Sequence, residues 1–245
     1  MVVKLRVKRA KGSAGDRYLH AILLLTDSGR QAETTDVAEK VGVSPAAASK
    51  MMRRLANMKL VVLEPYQGAR LTTEGMHRAL RVVRRHRLLE IFLHKVLGFD
   101  LHECHARAAA LQMSVDTTFE DRLDDFLGRP QFDPHGNPIP TREAVWPKVA
   151  DSPLLKLPPG AAGKISRITT DDAEMLKYLH GLGLKQGAPV VFESVAPFDG
   201  PVTLRVGNKQ AHVARRVAEV LYLQGGEASP SGVVPARPDS EKIVG

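Results

Sequence analysis

The chain has 245 residues, 43% of them hydrophobic and 25% charged, a composition ordinary for a globular protein with room for more than one domain. No apolar run approaches the ~20 residues of a membrane-spanning helix, Ile22–Leu25 is too short for a signal-peptide core, and the single cysteine, Cys104, excludes an internal disulfide framework. Charge is uneven: residues 1–90 carry 18 Lys+Arg against 8 Asp+Glu, and the remainder 17 against 19, so the basic excess that points to a polyanionic partner lies in the first third.

In chain order, residues 1–14 read as a loose basic arm. A helix over 16–27 is expected from the apolar stripe of Tyr18, Leu19, Ile22, Leu23 and Leu25, with Gly29 ending it. Thr35 is expected to cap a short helix, 36–41, stopped by Gly42. Ser44-Pro45 then opens a third helix to about Asn57, Ser as N-cap and Pro at the first helical position. Met51, Met52, Leu55 and Met58 are expected inside, and Ala46, Ala47, Lys50, Arg53 and Arg54 outside. The apolar run from Leu60, a Gln67-Gly68 turn and the segment 69–72 predict a β-hairpin.

A long helix follows over 73–97, ended by Gly98, and Asp100 to Glu103 has the form of a capping box for a helix over 101–113. A further helix over 115–127 would turn Phe119, Leu123, Phe126 and Leu127 inward before the stop signals Gly128 and Pro130. The Pro- and Gly-rich stretch 129–163 reads as a flexible linker. Strands over 164–169, 189–195, 202–206 and 209–213 around a helix over 171–181 predict a small β-barrel, and 225–245 reads as a disordered tail. The division expected is 1–72, 73–150, 151–224 and 225–245.

The first four elements make a winged helix-turn-helix. Its third helix is narrow and basic enough for the major groove. Ser44, Pro45, Ala46 and Ala47 lie at its leading end, Ser49 and Lys50 can donate to bases, Arg53 and Arg54 suit phosphates, and Arg70 suits a wing contact to the backbone. Double-stranded DNA is the expected partner.

Six of the nine histidines fall between 77 and 135 (His77, His86, His94, His102, His105 and His135), and His86 and Glu90, four apart, share one helical face able to hold an ion. The winged helix, the Arg-His-Arg-Leu-Leu-Glu helix (85–90), two further helices, His135-Gly-Asn-Pro-Ile-Pro140 and a small β domain together resemble the diphtheria-toxin-repressor family over about residues 14–223. The resemblance implies a mainly α fold: an N-terminal winged helix-turn-helix, a helical dimerisation domain, and a C-terminal SH3-like (FeoA-like) barrel.

It also implies a cytoplasmic homodimeric repressor of metal-homeostasis genes, neither membrane-bound nor acting on a small-molecule substrate. Its dimer interface would be built by the helices over 101–113 and 115–127. One metal site would use His86, Glu90, His105, Asp171 and Glu174, joining the helical core to the barrel and fixing the spacing of two winged helices for half-sites roughly 34 Å apart. The positions matching a second family site are Arg17, Ala109, Gln112 and Met113, poor ligands for a hard ion, with Asp16, His20, His102, Glu103 and Cys104 as substitutes nearby. Imidazole with hard oxygen suits Mn²⁺ first and Fe²⁺ second. The alternative is a metal-independent winged-helix regulator sensing another ligand through its C-terminal domain. A metallohydrolase lacks support: the sequence has no HExxH, no phosphate loop and no paired nucleophile and base.

Overall fold

The computed structural model describes residues 13–27, 31–64, 68–170 and 172–225. The expected N-terminal arm (save its last residues), Gly29, the Gln67 half of the wing turn, Asp171 and the expected tail beyond residue 225 lie outside the described residues. The chain divides into two compact units, Met1–Val149 with Thr170–Tyr178, and Ala150–Thr169 with Leu179–Gly245.

The first unit opens with α1 (Ser13–Asp27), α2 (Thr34–Val41) and α3 (Pro45–Asn57), then a hairpin of β1 (Val61–Glu64) and β2 (Gly68–Leu71). Ser44 caps α3 as expected, its Oγ accepting from Ala47 N at 3.3 Å with Pro45 next in line. The cap expected at Thr35 is not made: α2 begins at Thr34, after an extended Glu33 that contributes no side-chain bond. Gly42, at φ 73°, takes the left-handed turn that sends the chain from α2 into α3. Leu19, Ile22, Val37, Ala38, Met52, Leu55, Leu60 and Leu71 form the core of the unit. Met58, expected inside, is 50% exposed because α3 has ended one residue earlier.

Two glycines are steric necessities. Gly68, at φ 83°, lies against Ala32, whose carbonyl oxygen would sit 2.6 Å from any added Cβ; that close approach lets Ala69 N donate to Ala32 O at 2.9 Å and ties the wing to the body. At Gly75 an added Cβ would fall 1.9 Å from the Leu60 carbonyl oxygen, so the hairpin rests directly on the next helix.

That helix, α4 (Thr73–Ile91), is capped by Thr72, whose Oγ1 accepts from Gly75 N at 3.0 Å. Its first half gives Ala79, Leu80 and Val83 to the core just described, and its second half gives Leu88, Leu89 and Ile91 to another, with Cys104, Ala108, Leu123 and Ile139. Burying each such Leu or Ile stabilises by about 1.5–3 kcal/mol, so α4 is held rigidly at both ends. It runs into a π-helical turn, Phe92–Val96, in which Leu97 N donates to Phe92 O at 3.2 Å. Then come α5 (Leu101–Leu111) and α6 (Thr117–Phe126). The capping box expected at Asp100 and Glu103 is not formed, since the Asp100 side chain makes no cap bond; Asp116 caps α6 instead, accepting from Phe119 N at 2.8 Å.

Two expectations are corrected here. On α6, Leu123 is buried, but Phe119 and Phe126 are 49% and 67% exposed. The helix turns Glu120 and Asp124 toward α4, where Arg84 Nη2 meets Asp124 at 2.7 Å and Arg85 Nε meets Glu120 at 3.2 Å. The inward face is polar because its partner face on α4 is arginine. The stretch after α6 is likewise no flexible linker at its start: residues 135–140 are all buried. Asp133 accepts from the backbone N–H of both His135 and Asn137 at 2.8 Å, Arg84 donates to Pro140 O at 2.8 Å, and Arg87 donates to Pro138 O. Polar backbone in a buried loop is thereby satisfied by distant side chains.

The second unit carries β3 (Ser152–Pro153), β4 (Ala162–Ile168), β5 (Pro189–Val195), β6 (Val202–Val206), β7 (Lys209–Val213), the short α8 (Arg215–Ala218) and β8 (Leu221–Gln224); α7 (Ala173–Gly181) falls across the division of the units. The strands pair antiparallel in the order β3-β8-β4-β5-β6-β7, over Ile165, Ile168, Val190, Phe192, Val202, Leu204, Val213, Leu221 and Leu223, all buried. Register shifts between Ile165 and Arg167 and between Phe192 and Ser194 bend it. The small β domain is as expected. Among the described residues, though, no pairing joins β7 to β3, so the strand ladder is that of an open sheet.

Candidate metal centre

α4 places His86 and Glu90 one turn apart, His86 between its two cores and Glu90 among the residues of the second, and α5 lays His105 against them. Both α4 side chains are buried, and His105 is partly exposed. His86 Nε2 lies 3.0 Å from Glu90 Oε1 and 2.9 Å from His105 Nδ1, and the third side of the triangle, His105 Nδ1 to Glu90 Oε1, is 3.2 Å. Burial alone would push the Glu90 carboxyl up, but the neighbouring His86 and His105 rings hold it below the usual carboxylate range. The acid is therefore an anion facing two imidazoles.

The residues fit a divalent cation. Three donor atoms lying within 3.2 Å of one another can share one ion. Two nitrogens and one carboxylate oxygen on one face suit a borderline-hard ion.

Among the described residues, these three are the group of His, Cys, Asp and Glu close enough to share an ion. Of the other expected ligands, Glu174 is exposed in the first turn of α7 and Asp171 is outside the described residues. The positions matching a second site do not converge. Arg17 donates to Val41 O at 2.7 Å, Asp16 is paired with Arg78 at 2.6 Å, His102 is exposed, and Glu103 pairs with Arg107 at 3.2 Å. Cys104 is fully buried with Sγ 3.3 Å from Asp100 O, and burial, with Glu90 and Glu103 nearby, pushes its thiol up to about 11. Ala109 and Met113 offer no oxygen or nitrogen side-chain donor. Gln112 is buried, with Oε1 3.2 Å from His86 Nδ1.

The sequence offers His20 as a substitute ligand for a second site and His135 as the first residue of the motif over 135–140. The His20 ring on α1 stands 6.2 Å from that of His86, centroid to centroid, and burial with the charges of His86 and Arg87 lowers its pKa to about 3, so it is neutral. His135 is 4% exposed with neither ring nitrogen hydrogen-bonded, beside an Asp133 whose carboxyl burial pushes up. The histidine clustering over 77–135 was a signal for His135; His20 lies outside it.

The residues expected to contact DNA lie at or near the surface. Ser44, Pro45, Ala46, Ala47, Lys50, Arg53 and Arg54 are exposed along α3, and Ser49 is half-buried. Arg70 is exposed on the wing and ion-paired with Glu64 at 2.9 Å.

Three family descriptions match consecutive parts of the chain: "Iron dependent repressor, N-terminal DNA binding domain" over residues 13–69, "Iron dependent repressor, metal binding and dimerisation domain" over 72–141, and "FeoA domain" over 152–224. The diphtheria toxin repressor of Corynebacterium glutamicum is 29% identical over 185 residues, covering 71% of this chain and 81% of that protein. An uncharacterized HTH-type transcriptional regulator of Methanocaldococcus jannaschii is 30% identical over 111 residues, 45% of this chain and 89% of that protein. Among solved structures, a manganese-dependent transcriptional repressor in complex with manganese superposes with a TM-score of 0.77 at 29% identity, over 86% of this chain and 99% of that one. The chain belongs to the diphtheria-toxin-repressor family of metal-dependent transcriptional repressors.

Proposed function

We propose that this chain is a cytoplasmic, homodimeric, manganese-responsive repressor, with iron as the second candidate metal, that binds operator DNA of metal-homeostasis genes. The observation that carries the reading is the buried triangle of His86 Nε2, Glu90 Oε1 and His105 Nδ1, with edges of 2.9–3.2 Å, in a chain that also presents an exposed basic helix. The family comparison adds manganese and iron as the metals of relatives.

In this reading His86, Glu90 and His105 hold the ion, and Asp171 and Glu174 complete its shell from the segment that opens α7. A bound divalent cation supplies positive charge and a fixed coordination geometry. Glu90 answers it as a buried anion, and the two imidazoles present lone pairs from two different helices, so α4 and α5 are fixed against each other. The functional division is 1–72 for DNA binding, 73–150 for dimerisation and metal, and 151–224 for an SH3-like domain. Exposed apolar side chains on and before α5 and α6, Leu97, Leu111, Phe119 and Phe126, supply the dimer contact. Ser44, Pro45, Ala46, Ala47, Ser49 and Lys50 read bases, while Arg53, Arg54 and Arg70 hold phosphates. Ligand binding that favours the DNA-competent state raises operator affinity by the ratio of its affinities for the two states.

Gel-shift titration of operator DNA with Mn²⁺ tests this. His86→Ala and Glu174→Ala should each abolish metal-stimulated binding while preserving the circular dichroism of the fold. Equal DNA affinity with Mn²⁺ and with a chelator would overturn it.

A further inference from the structure

Gln112 is the C-cap of α5, and 5% of it is exposed. Its side-chain Oε1 lies 3.2 Å from His86 Nδ1. An amide oxygen can only accept, so in this pair Nδ1 carries the proton and donates. His86 Nε2 is then left with its lone pair directed at Glu90 and His105. Gln112 is itself anchored on two sides: its N–H donates to Ala108 O at 2.8 Å, and its carbonyl accepts from Arg85 Nη1 at 3.2 Å. Arg85 is on α4, next to His86, and its Nε also meets Glu120. These bonds fix the backbone from which the side chain reaches His86.

We infer that Gln112 is a positioning residue: it selects the Nδ1-protonated tautomer of His86 and fixes the ring so that Nε2 is presented to a divalent cation. The inference rests on the proposed metal site of His86, Glu90 and His105. In the sequence Gln112 stands only as a poor ligand for a second ion; its buried hydrogen bond gives it a task in the first. Outer-shell acceptors on a ligating histidine raise its basicity and set its orientation, and their loss commonly weakens metal binding 10–100-fold. A neutral amide does this without adding a second buried anion beside Glu90.

The test uses the full chain with Mn²⁺ in calorimetric titration, and with diamagnetic Zn²⁺ for ¹H–¹⁵N correlation of the histidine rings. In the parent protein His86 should show a protonated Nδ1 with slow solvent exchange. Gln112→Leu should bind Mn²⁺ 10–100-fold more weakly at unchanged stoichiometry and lose the slow-exchanging proton. Gln112→Glu, which keeps an acceptor, should return to within a few-fold of the parent. Gln112→Met, close in length but without the acceptor, should match Gln112→Leu and replaces it if that variant fails to fold. Parent-like affinity and tautomer in the Leu or Met variant would overturn the inference, and so would equal losses in the Glu and Leu variants. His86→Ala is the separate control: Mn²⁺ binding that survives it refutes the metal site itself, not the role of Gln112.

Discussion

Arg84 is the side chain through which the metal-bearing helix is tied to its surroundings, and Arg84→Met isolates that tie. The guanidinium is 5% exposed. Nη2 meets Asp124 at 2.7 Å, Nη1 donates to Pro140 O at 2.8 Å, and Nε lies 3.4 Å from Glu120 without hydrogen-bond geometry. Methionine keeps the aliphatic stem and removes all three contacts. Asp124 is not abandoned, because Arg142 still meets it at 2.8 and 3.0 Å, and Glu120 keeps Arg85 at 3.2 Å. What is lost is one charge-assisted bond, about 1.5–3 kcal/mol, and the donor to a buried carbonyl, about 1–3 kcal/mol. The expected loss is about 3 kcal/mol, below the ~5 kcal/mol of a buried pair left with a naked charge. Trp146, the only tryptophan in the chain, packs against the first core with Arg87 5.2 Å over its ring. Urea denaturation followed by its fluorescence reports the first unit selectively. A loss below about 1 kcal/mol, or a gain, would show that desolvating the guanidinium already cancels its contacts, and the tie would be no tie.

Four further outcomes are expected. Lys50→Ala and Arg53→Ala should each weaken operator binding and lower the slope of log affinity against log salt by about one; an unchanged slope removes the residue from the interface. Gly75→Ala should destabilise the first unit by about 3 kcal/mol or more, since its Cβ would meet the Leu60 carbonyl at 1.9 Å; a parent-like thermal melt would contradict that packing. Native Cys104 should resist thiol reagents at pH 8 and react only on unfolding, given its burial and raised pKa; rapid native labelling would count against it. Burial raises the Glu120 carboxyl above 4.5 in the folded chain. The folded state thus holds that proton more tightly, and the side chain's contribution to stability falls as pH rises from 4.5 through the folded pKa. The stability of the parent relative to Glu120→Gln should decline over that window, and a rise would reverse the sign.

How much could be read in advance depended on how local each determinant is. Ser44-Pro45 opening α3, Gly42 turning the chain into it and the His86/Glu90 spacing are encoded within a few residues, and they were legible. The faces of α6 were not: Phe119, Leu123 and Phe126 make a plausible apolar stripe, and only Arg84 and Arg85, some 35 residues earlier, decide that Glu120 and Asp124 turn inward. The Gly and Pro of residues 129–140 suggested a linker for the same reason, since the donors that satisfy its carbonyls belong to α4. β3, of two residues, and β8, of four, are too short to carry a period. His105 comes from the next helix, so no spacing within α4 singles it out, and nothing in the chain's pattern separates Gln112 from any other polar residue at a helix end.

The π-helical turn at Phe92–Val96 has a consequence for how this centre can vary. Such a turn holds one residue more than an α-helical turn and so takes up that residue without shifting the face that follows. Adding or removing a residue elsewhere between Glu90 and Gly98, with no such turn to absorb the change, would swing everything downstream around the α4 axis by about 100°. His105 would be carried off the side of α4 that bears His86 and Glu90. The irregular turn thus works as a phase-setter: it is the length of this bend, as much as the identity of the three side chains, that brings the second imidazole to the first.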